Sequence, residues 1–212
     1  MSTARKAYLT VVTEGDAHGE DASATNTELV RALGARDPRA AVLAWRRHSP
    51  KIFRIVQRTL GSNGDAEDLT QDIFLRVFSR IGTLRDPEAF SSFVLSIALR
   101  MIKHHLRYRN VRKILMGVPE VPDTPVPGLD LDARRTLRRF YEILDTLPAD
   151  ERLVFALRHI EGMTLAEVAS ASGVSLATAK RRLQRASARL AKKALQDPAL
   201  ARYSSRMTRD AD

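Results

Sequence analysis

Between Thr164 and Arg185 the chain gathers side chains suited to gripping a polyanion. Lys180, Arg181, Arg182 and Arg185 fall within six positions, with Gln184 among them. A guanidinium is a planar fork that meets a phosphate or a guanine edge with two parallel hydrogen bonds, and glutamine can do the same to adenine. From Leu176 to Lys193 there are seven Lys or Arg residues and no acid. The elements that must carry them are two helices and a turn. Thr164 can cap the first helix, with Glu167 reaching back to complete a capping box. Leu165, Val168 and Ala169 supply its apolar stripe. Gly173 stands where the chain must turn, and Ser175 can cap the second helix, with Thr178 in its first turn. Ala166, Ala169, Ala171 and Ala179 are small enough for two helices to approach closely. A solvated basic face on an ordinary helix pair would share the charge; the small residues favour a helix-turn-helix, whose second helix enters the major groove of DNA.

A second pattern has the opposite sign. Asn63-Gly64-Asp65 reads as a helix start with Asp65 as its cap, followed by a buried stripe of Leu69, Ile73, Val77 and Phe78. Asp68, Gln71, Asp72 and Leu75 fall on the other side at helical spacing. Complementing the helix dipole accounts for Asp65 and Glu67. It fades by Asp72, two turns in. An exposed leucine flanked by carboxylates suits a protein partner with basic residues around an apolar notch. In the helix near Phe90, one stripe holds Phe90, Phe93, Val94, Ile97 and Met101, and another Leu95, Leu99, Ile102 and Leu106. So wide an apolar surface predicts burial on most sides. Its C-terminal half, with Arg100, Lys103, Arg107, Arg109 and Tyr108, offers a basic surface that could follow a phosphate backbone. Trp45 sits among apolar residues and reads as core.

Composition limits what chemistry is possible. The chain has 212 residues, a formal charge of +10 and 44% hydrophobic residues, enough for one or two small cored domains with a polyanionic partner. The charge is uneven: residues 14–28 carry five acids and no Lys or Arg, and residues 99–113 carry six Lys or Arg and no acid. The absence of cysteine excludes disulfides and thiolate metal sites. The five histidines form no ligand set, and His104 and His105 point to different helix faces, so neither metal nor cofactor is expected. No paired carboxylates, nucleophile–base set or phosphate loop supports an enzyme, and adjacent Tyr141 and Glu142 make no site. No apolar run reaches the roughly 20 residues of a membrane span. A soluble cytoplasmic protein without membrane insertion is expected.

Along the chain, residues 1–25 read as an arm in which Tyr8–Val12 could pair as a strand. Residues 26–113 predict about four helices, with breaks near Asp37-Pro38, Ser49-Pro50, Gly61–Gly64 and Arg85–Pro87. Residues 114–132 hold Pro119, Pro122, Pro125 and Pro127 with several acids, an extended linker. Residues 133–195 are helical again, broken at Leu147–Asp150 and Gly162, and residues 196–212 read as a tail. The expected fold is all-α: two small domains, an N-terminal helical bundle and a C-terminal helix-turn-helix domain, joined by a proline-rich linker.

Two segments resemble a known family. Asp65-Ala-Glu-Asp-Leu-Thr-Gln-Asp-Ile-Phe-Leu-Arg-Val-Phe78 resembles the most recognisable stretch of bacterial RNA polymerase sigma factors. Leu144–Arg158 followed by Glu161–Ala169 resembles their C-terminal domain. With only these two domains, over about residues 26–195, the chain is similar to the extracytoplasmic-function (ECF) group. The resemblance implies that Asp68, Gln71, Asp72 and Leu75 dock on the clamp helices of the polymerase beta-prime subunit. It implies a second core contact, at the beta flap, and an anti-sigma factor as a further partner. It places minus-35 promoter DNA on Ser175, Thr178, Lys180, Arg181, Arg182, Gln184 and Arg185. Minus-10 DNA, with strand opening and capture of a flipped base, would fall to the loop from Gly82 to Ser92 and the helix after it: Arg85, Ser91, Ser92, Arg100, Lys103, His104 and Arg107. The linker would thread the polymerase channels. Departures fall in this last region. Phe93-Val94 stands where the family often has tryptophan, Ile97-Ala-Leu-Arg100 replaces an Ile-Ala-Arg-Asn run, and His104 stands where aspartate is frequent. The competing reading is an autonomous helix-turn-helix regulator that binds a palindromic operator as a dimer; it gives the Asp68–Leu75 stripe and the linker no task.

Overall fold

The computed structural model describes residues 24–61, 64–116, 131–197 and 200. The expected strand at Tyr8–Val12, most of the proline-rich linker and nearly all of the tail lie outside these residues. Among the described residues there is helix and turn but no strand, as expected of an all-α chain. The helices are α1 (Asn26–Gly34), α2 (Pro38–Leu60), α3 (Gly64–Arg80), α4 (Phe90–Met116), α5 (Leu131–Leu144), α6 (Ala149–Phe155), α7 (Leu165–Ser172) and α8 (Leu176–Gln196). Two short 3-10 turns, Ile81–Thr83 and Pro87–Ala89, lead from α3 into α4, and a π turn over Ala156–Ile160 extends α6.

The sequence expectation fails at Ser49-Pro50. There α2 runs unbroken through Pro50, although proline removes one backbone bond and crowds the preceding turn. Burial explains its survival: Ala44, Ser49 and Ile52 around the proline are all in the core. Similarly, α3 begins at Gly64, which puts Asp65 inside the first turn and not at the cap. Phe74, 1% exposed, is in the core, whereas the expected Phe78 is only half-buried.

The chain divides into two compact units, residues 1–54 with 70–98 and residues 55–69 with 99–212. In the first, Leu29, Leu33, Ile73, Val77, Phe90 and Val94 form the core. The Trp45 and Phe74 rings meet edge-on at 4.9 Å; Trp45, expected in the core, packs against it but is only half-buried. Thr25 and Glu28 form a capping box at the start of α1.

The second unit is built on Leu99, Ile102, Leu106, Leu144, Leu157, Val168, Leu183 and Leu190. Its most demanding feature is the C-terminal end of α2, whose last carbonyls have no helical partner. Buried Arg152 donates from Nε to the Thr59 carbonyl at 2.8 Å and from Nη2 to the Leu60 carbonyl at 2.9 Å. Its Nη1 pairs with Asp145, which also receives Arg109 Nη2 at 2.9 Å. Tyr141 Oη donates to the Arg58 carbonyl at 3.2 Å. Burial depresses the Arg152 guanidinium below its ordinary value, with Asp145 opposing that shift. Gly61 ends the helix at φ +73°, and an added Cβ would lie 2.3 Å from the Tyr141 ring, so both backbone and space require glycine.

Candidate nucleic-acid interface

The helix pair at the C-terminal end forms as its sequence dictates. Thr164 accepts from the Glu167 amide while the Glu167 carboxylate accepts from the Thr164 amide, a complete capping box for α7. Gly173 closes α7 in the left-handed region at φ +65°, and Ser175 caps α8 by accepting from the Thr178 amide at 3.1 Å. Of the four small residues, only Ala169 and Ala179 are buried; Ala171 is half-buried and Ala166 faces solvent, so close approach rests on the first two.

Along α8, Ala179, Leu183, Ala186, Leu190 and Ala194 face the core. Lys180, Arg181, Gln184 and Arg185 are exposed on the opposite side, as is Ser175 at the cap. Thr178 is half-buried, its hydroxyl 2.9 Å from that of Ser175. Arg182 stands apart from its neighbours: it is half-buried and donates from Nη2 to Asp150 at 3.1 Å. Further along, Arg189 pairs with Glu151 at 3.3 Å. The exposed face offers cationic and amide donors one turn apart, the arrangement that fits phosphates flanking a groove and base edges within it.

The second basic surface behaves differently. On α4, Arg100 and His104 are exposed. Lys103 Nζ and Arg107 Nη2 both pair with Asp150, the latter at 2.9 Å. Arg109, expected on the same surface, is instead turned inward, where it pairs with Asp145 and donates to the Leu60 carbonyl at 3.3 Å. Spacing along the helix could not show this, because the acids that recruit these cations lie about 40 residues later in the chain. In the first unit Arg85, Ser91 and Ser92 are all exposed, between and after the two 3-10 turns.

On α3, Asp68 is exposed, and Gln71, Asp72 and Leu75 are half-exposed on the side away from Ile73 and Val77. The stripe read from spacing is therefore available at a surface. Two acids were missed as functional candidates. Asp145 and Asp150 lie around the Leu147-Pro148 break, where the sequence signals a turn and nothing more. Burial alone would raise the Asp150 carboxyl; the Lys103 hydrogen bond and the charges of Arg182 and Lys103 outweigh it, with the Arg107 bond adding to them, and hold it below the usual carboxylate range. Among the described residues no group of His, Asp and Glu could hold a metal, and no helix is long and apolar enough to cross a membrane.

Comparison with known proteins gives consistent results at both ends of the chain. Residues 44–112 match the family described as Sigma-70 region 2, and residues 137–190 match Sigma-70, region 4. The ECF RNA polymerase sigma factor SigE of Mycolicibacterium smegmatis is 30% identical over 84% of this chain and 71% of its own length. The ECF RNA polymerase sigma factor SigM of Mycobacterium tuberculosis is 30% identical over 79% of this chain and 84% of its own. Among solved structures, the sigma factor RpoE in complex with the anti-sigma factor NepR from Bartonella quintana aligns with a TM-score of 0.53 at 22% identity. That alignment covers 70% of this chain and 92% of that one, a likeness of fold.

Proposed function

Because this chain belongs to the extracytoplasmic-function sigma factors of RNA polymerase, we propose that its separate faces divide the work of promoter recognition. Asp68, Gln71, Asp72 and Leu75 on α3 dock on the beta-prime clamp helices of core polymerase, where carboxylates meet basic side chains and Leu75 fills an apolar notch. Lys180, Arg181, Gln184 and Arg185 on α8 read minus-35 DNA, with Ser175 and Thr178 at the helix start and Arg182 beside them. Arg85, Ser91, Ser92, Arg100, Lys103, His104 and Arg107 contact the minus-10 element, where unstacking a base costs a few kcal/mol that bound single strand must offset. The protein is a specificity subunit and not itself a catalyst, and it works in the cytoplasm beside the polymerase. An anti-sigma factor is a further partner, by analogy with the RpoE–NepR complex.

The observation that carries the reading is the solvent-facing α8 surface, where Lys180, Arg181, Gln184 and Arg185 are exposed together on a capped helix behind a glycine turn. The α3 stripe separates this reading from an autonomous operator-binding regulator. The decisive variant is Asp72→Lys, assayed by association of purified protein with bacterial core polymerase and by promoter-dependent transcription. Association should be abolished while a cooperative thermal melt is retained. Unaltered affinity for core would refute the docking assignment. Specific recognition of a palindrome by the free chain, with no association to core, would favour the regulator.

A further inference from the structure

One carboxylate in the second unit collects three cations from two helices. Asp150 pairs with Lys103 and Arg107 of α4 and with Arg182 of α8. The side chains close around it: Asp150 is 23% exposed, Arg182 25% and Lys103 30%, whereas Arg107 keeps 61%. Beside the cluster is a cavity of about 70 Å³, lined by Leu99, Arg100, Lys103, Asp150, Ser172 and Arg182 among others. It is far below the several hundred Å³ of a ligand pocket. The carboxylate itself is therefore what these cations bind.

We propose that Asp150 is an internal stand-in for a DNA phosphate, a clasp that keeps Lys103, Arg107 and Arg182 from nucleic acid until it opens. The inference rests on the assignment of these three cations to promoter DNA. A phosphate and the Asp150 carboxylate compete for the same positive charge and for the nitrogens turned towards Asp150, so a cation paired there has less to offer DNA. Every cation held by Asp150 is one fewer that can displace counterions from DNA, which lowers affinity and flattens its salt dependence. The exposed set Lys180, Arg181 and Arg185 lies outside the clasp and can make a first encounter. A free chain would then bind DNA with part of its cationic surface, and gain the rest only in a state that separates Asp150 from its partners. The arrangement gives low unaided affinity for DNA without any loss of Lys or Arg from the sequence.

The test uses the full chain and a fluorescein-labelled DNA duplex of mixed sequence, followed by anisotropy across a salt series. Asp150→Asn and Asp150→Ser, both short polar residues that a first helical turn accepts, should tighten binding by about tenfold at low salt. The slope of log affinity against log salt should steepen by about 0.9 for each cation released. Asp150→Glu, which keeps the charge, should bind as the unaltered chain does. Asp132→Asn, at an acid 84% exposed in the same unit, makes the same change in net charge and should have little effect. Binding by both Asp150→Asn and Asp150→Ser equal to that of the Asp132→Asn control, with cooperative melts retained, would overturn the clasp. A combined Lys180→Ala, Arg181→Ala and Arg185→Ala variant separates the two levels of argument. If it binds duplex as well as the unaltered chain, the DNA assignment fails and the clasp with it. If it binds weakly while Asp150→Asn gives no gain, the clasp alone fails.

Discussion

The two cationic helices of the second unit carry the same residue types and put them to different uses. On α8, Lys180, Arg181 and Arg185 are exposed along one face while alanine and leucine hold the other in the core. On α4, Lys103 and Arg107 lean on Asp150, and Arg109 is drawn to Asp145 and to the carbonyl of Leu60. A run of lysines and arginines therefore says that a helix is basic without saying which charges are available. Acids distant in sequence decide that. Where an acid is buried, as Asp145 is, its cation becomes structural; where it is near the surface, as Asp150 is, the cation stays recoverable.

The contrast is broken most severely at Arg152. Its guanidinium is almost fully buried and satisfies two helix-end carbonyls and Asp145 together. Arg152→Met keeps much of the volume but leaves the Thr59 carbonyl without its side-chain donor, the Leu60 carbonyl with Arg109 alone, and part of the Asp145 charge unmet. Removing one partner of a buried pair costs about 3–5 kcal/mol. The expected result is a large fall in the urea midpoint of unfolding. A midpoint within experimental error of the unaltered chain would mean that water satisfies the end of α2 as well as Arg152 does.

Arg181 should give the opposite outcome. It is exposed and has no structural task visible on α8, so Arg181→Ala should leave the melt unchanged. If it reads a base, the variant should lose about 1–3 kcal/mol of binding at its cognate position and relax specificity there. A loss spread evenly over all sequences, with a shallower salt slope, would make it a phosphate contact. Paired measurements on Arg152→Met and Arg181→Ala thus test directly whether burial sorts structural from functional cations.

Much of this fold is legible because its signals are local. Thr164 with Glu167, Gly173 and Ser175 specify the turn between α7 and α8 through bonds spanning three or four residues, and the structure forms each of them. The apolar period of α3 likewise fixes its buried face through Leu69, Ile73 and Val77; on α4 Phe90, Val94, Ile97, Leu99, Ile102 and Leu106 are buried as expected, whereas Phe93, Leu95 and Met101 are only half-buried. The sequence misleads where a long-range contact outweighs a local preference. Pro50 should end a helix, but the core around it holds α2 continuous. Arg109 reads as surface because Asp145 is 36 residues away in the chain. Tyr141, which makes no site with adjacent Glu142, is the ring that seals Gly61. The α8 interface is thus legible in sequence, and the Asp150 cluster is not, because helical periodicity carries no information about pairing between helices.

The smallest expected effect concerns a base whose surroundings treat it unlike Arg152. His48 lies in the first unit with its ring edge-on to Phe90 at 5.1 Å and its Nε2 buried without a hydrogen-bond partner. Burial, then the charges of Arg47 and Lys51, lower its pKa below 6.5. Arg152 has an acid to hold its charge; His48 has an aromatic edge and two like charges, which favour the neutral ring. In the unfolded chain the same histidine takes a proton below about pH 6.5. Over that range the unfolded state binds more protons, so stability is complete above about pH 6.5 and falls as the solution is acidified towards the lowered folded value. The ceiling is about 1.4 kcal/mol per pH unit, and half-exposure screens it to a fraction of that. Comparing urea midpoints of the unaltered chain and His48→Gln at pH 7.5 and at pH 5.5 isolates this residue from the other histidines. The unaltered chain should lose more stability on acidification than His48→Gln does. Equal losses would mean that His48 is solvated enough to titrate normally, and that an aromatic neighbour at this depth does not set the charge of a basic side chain.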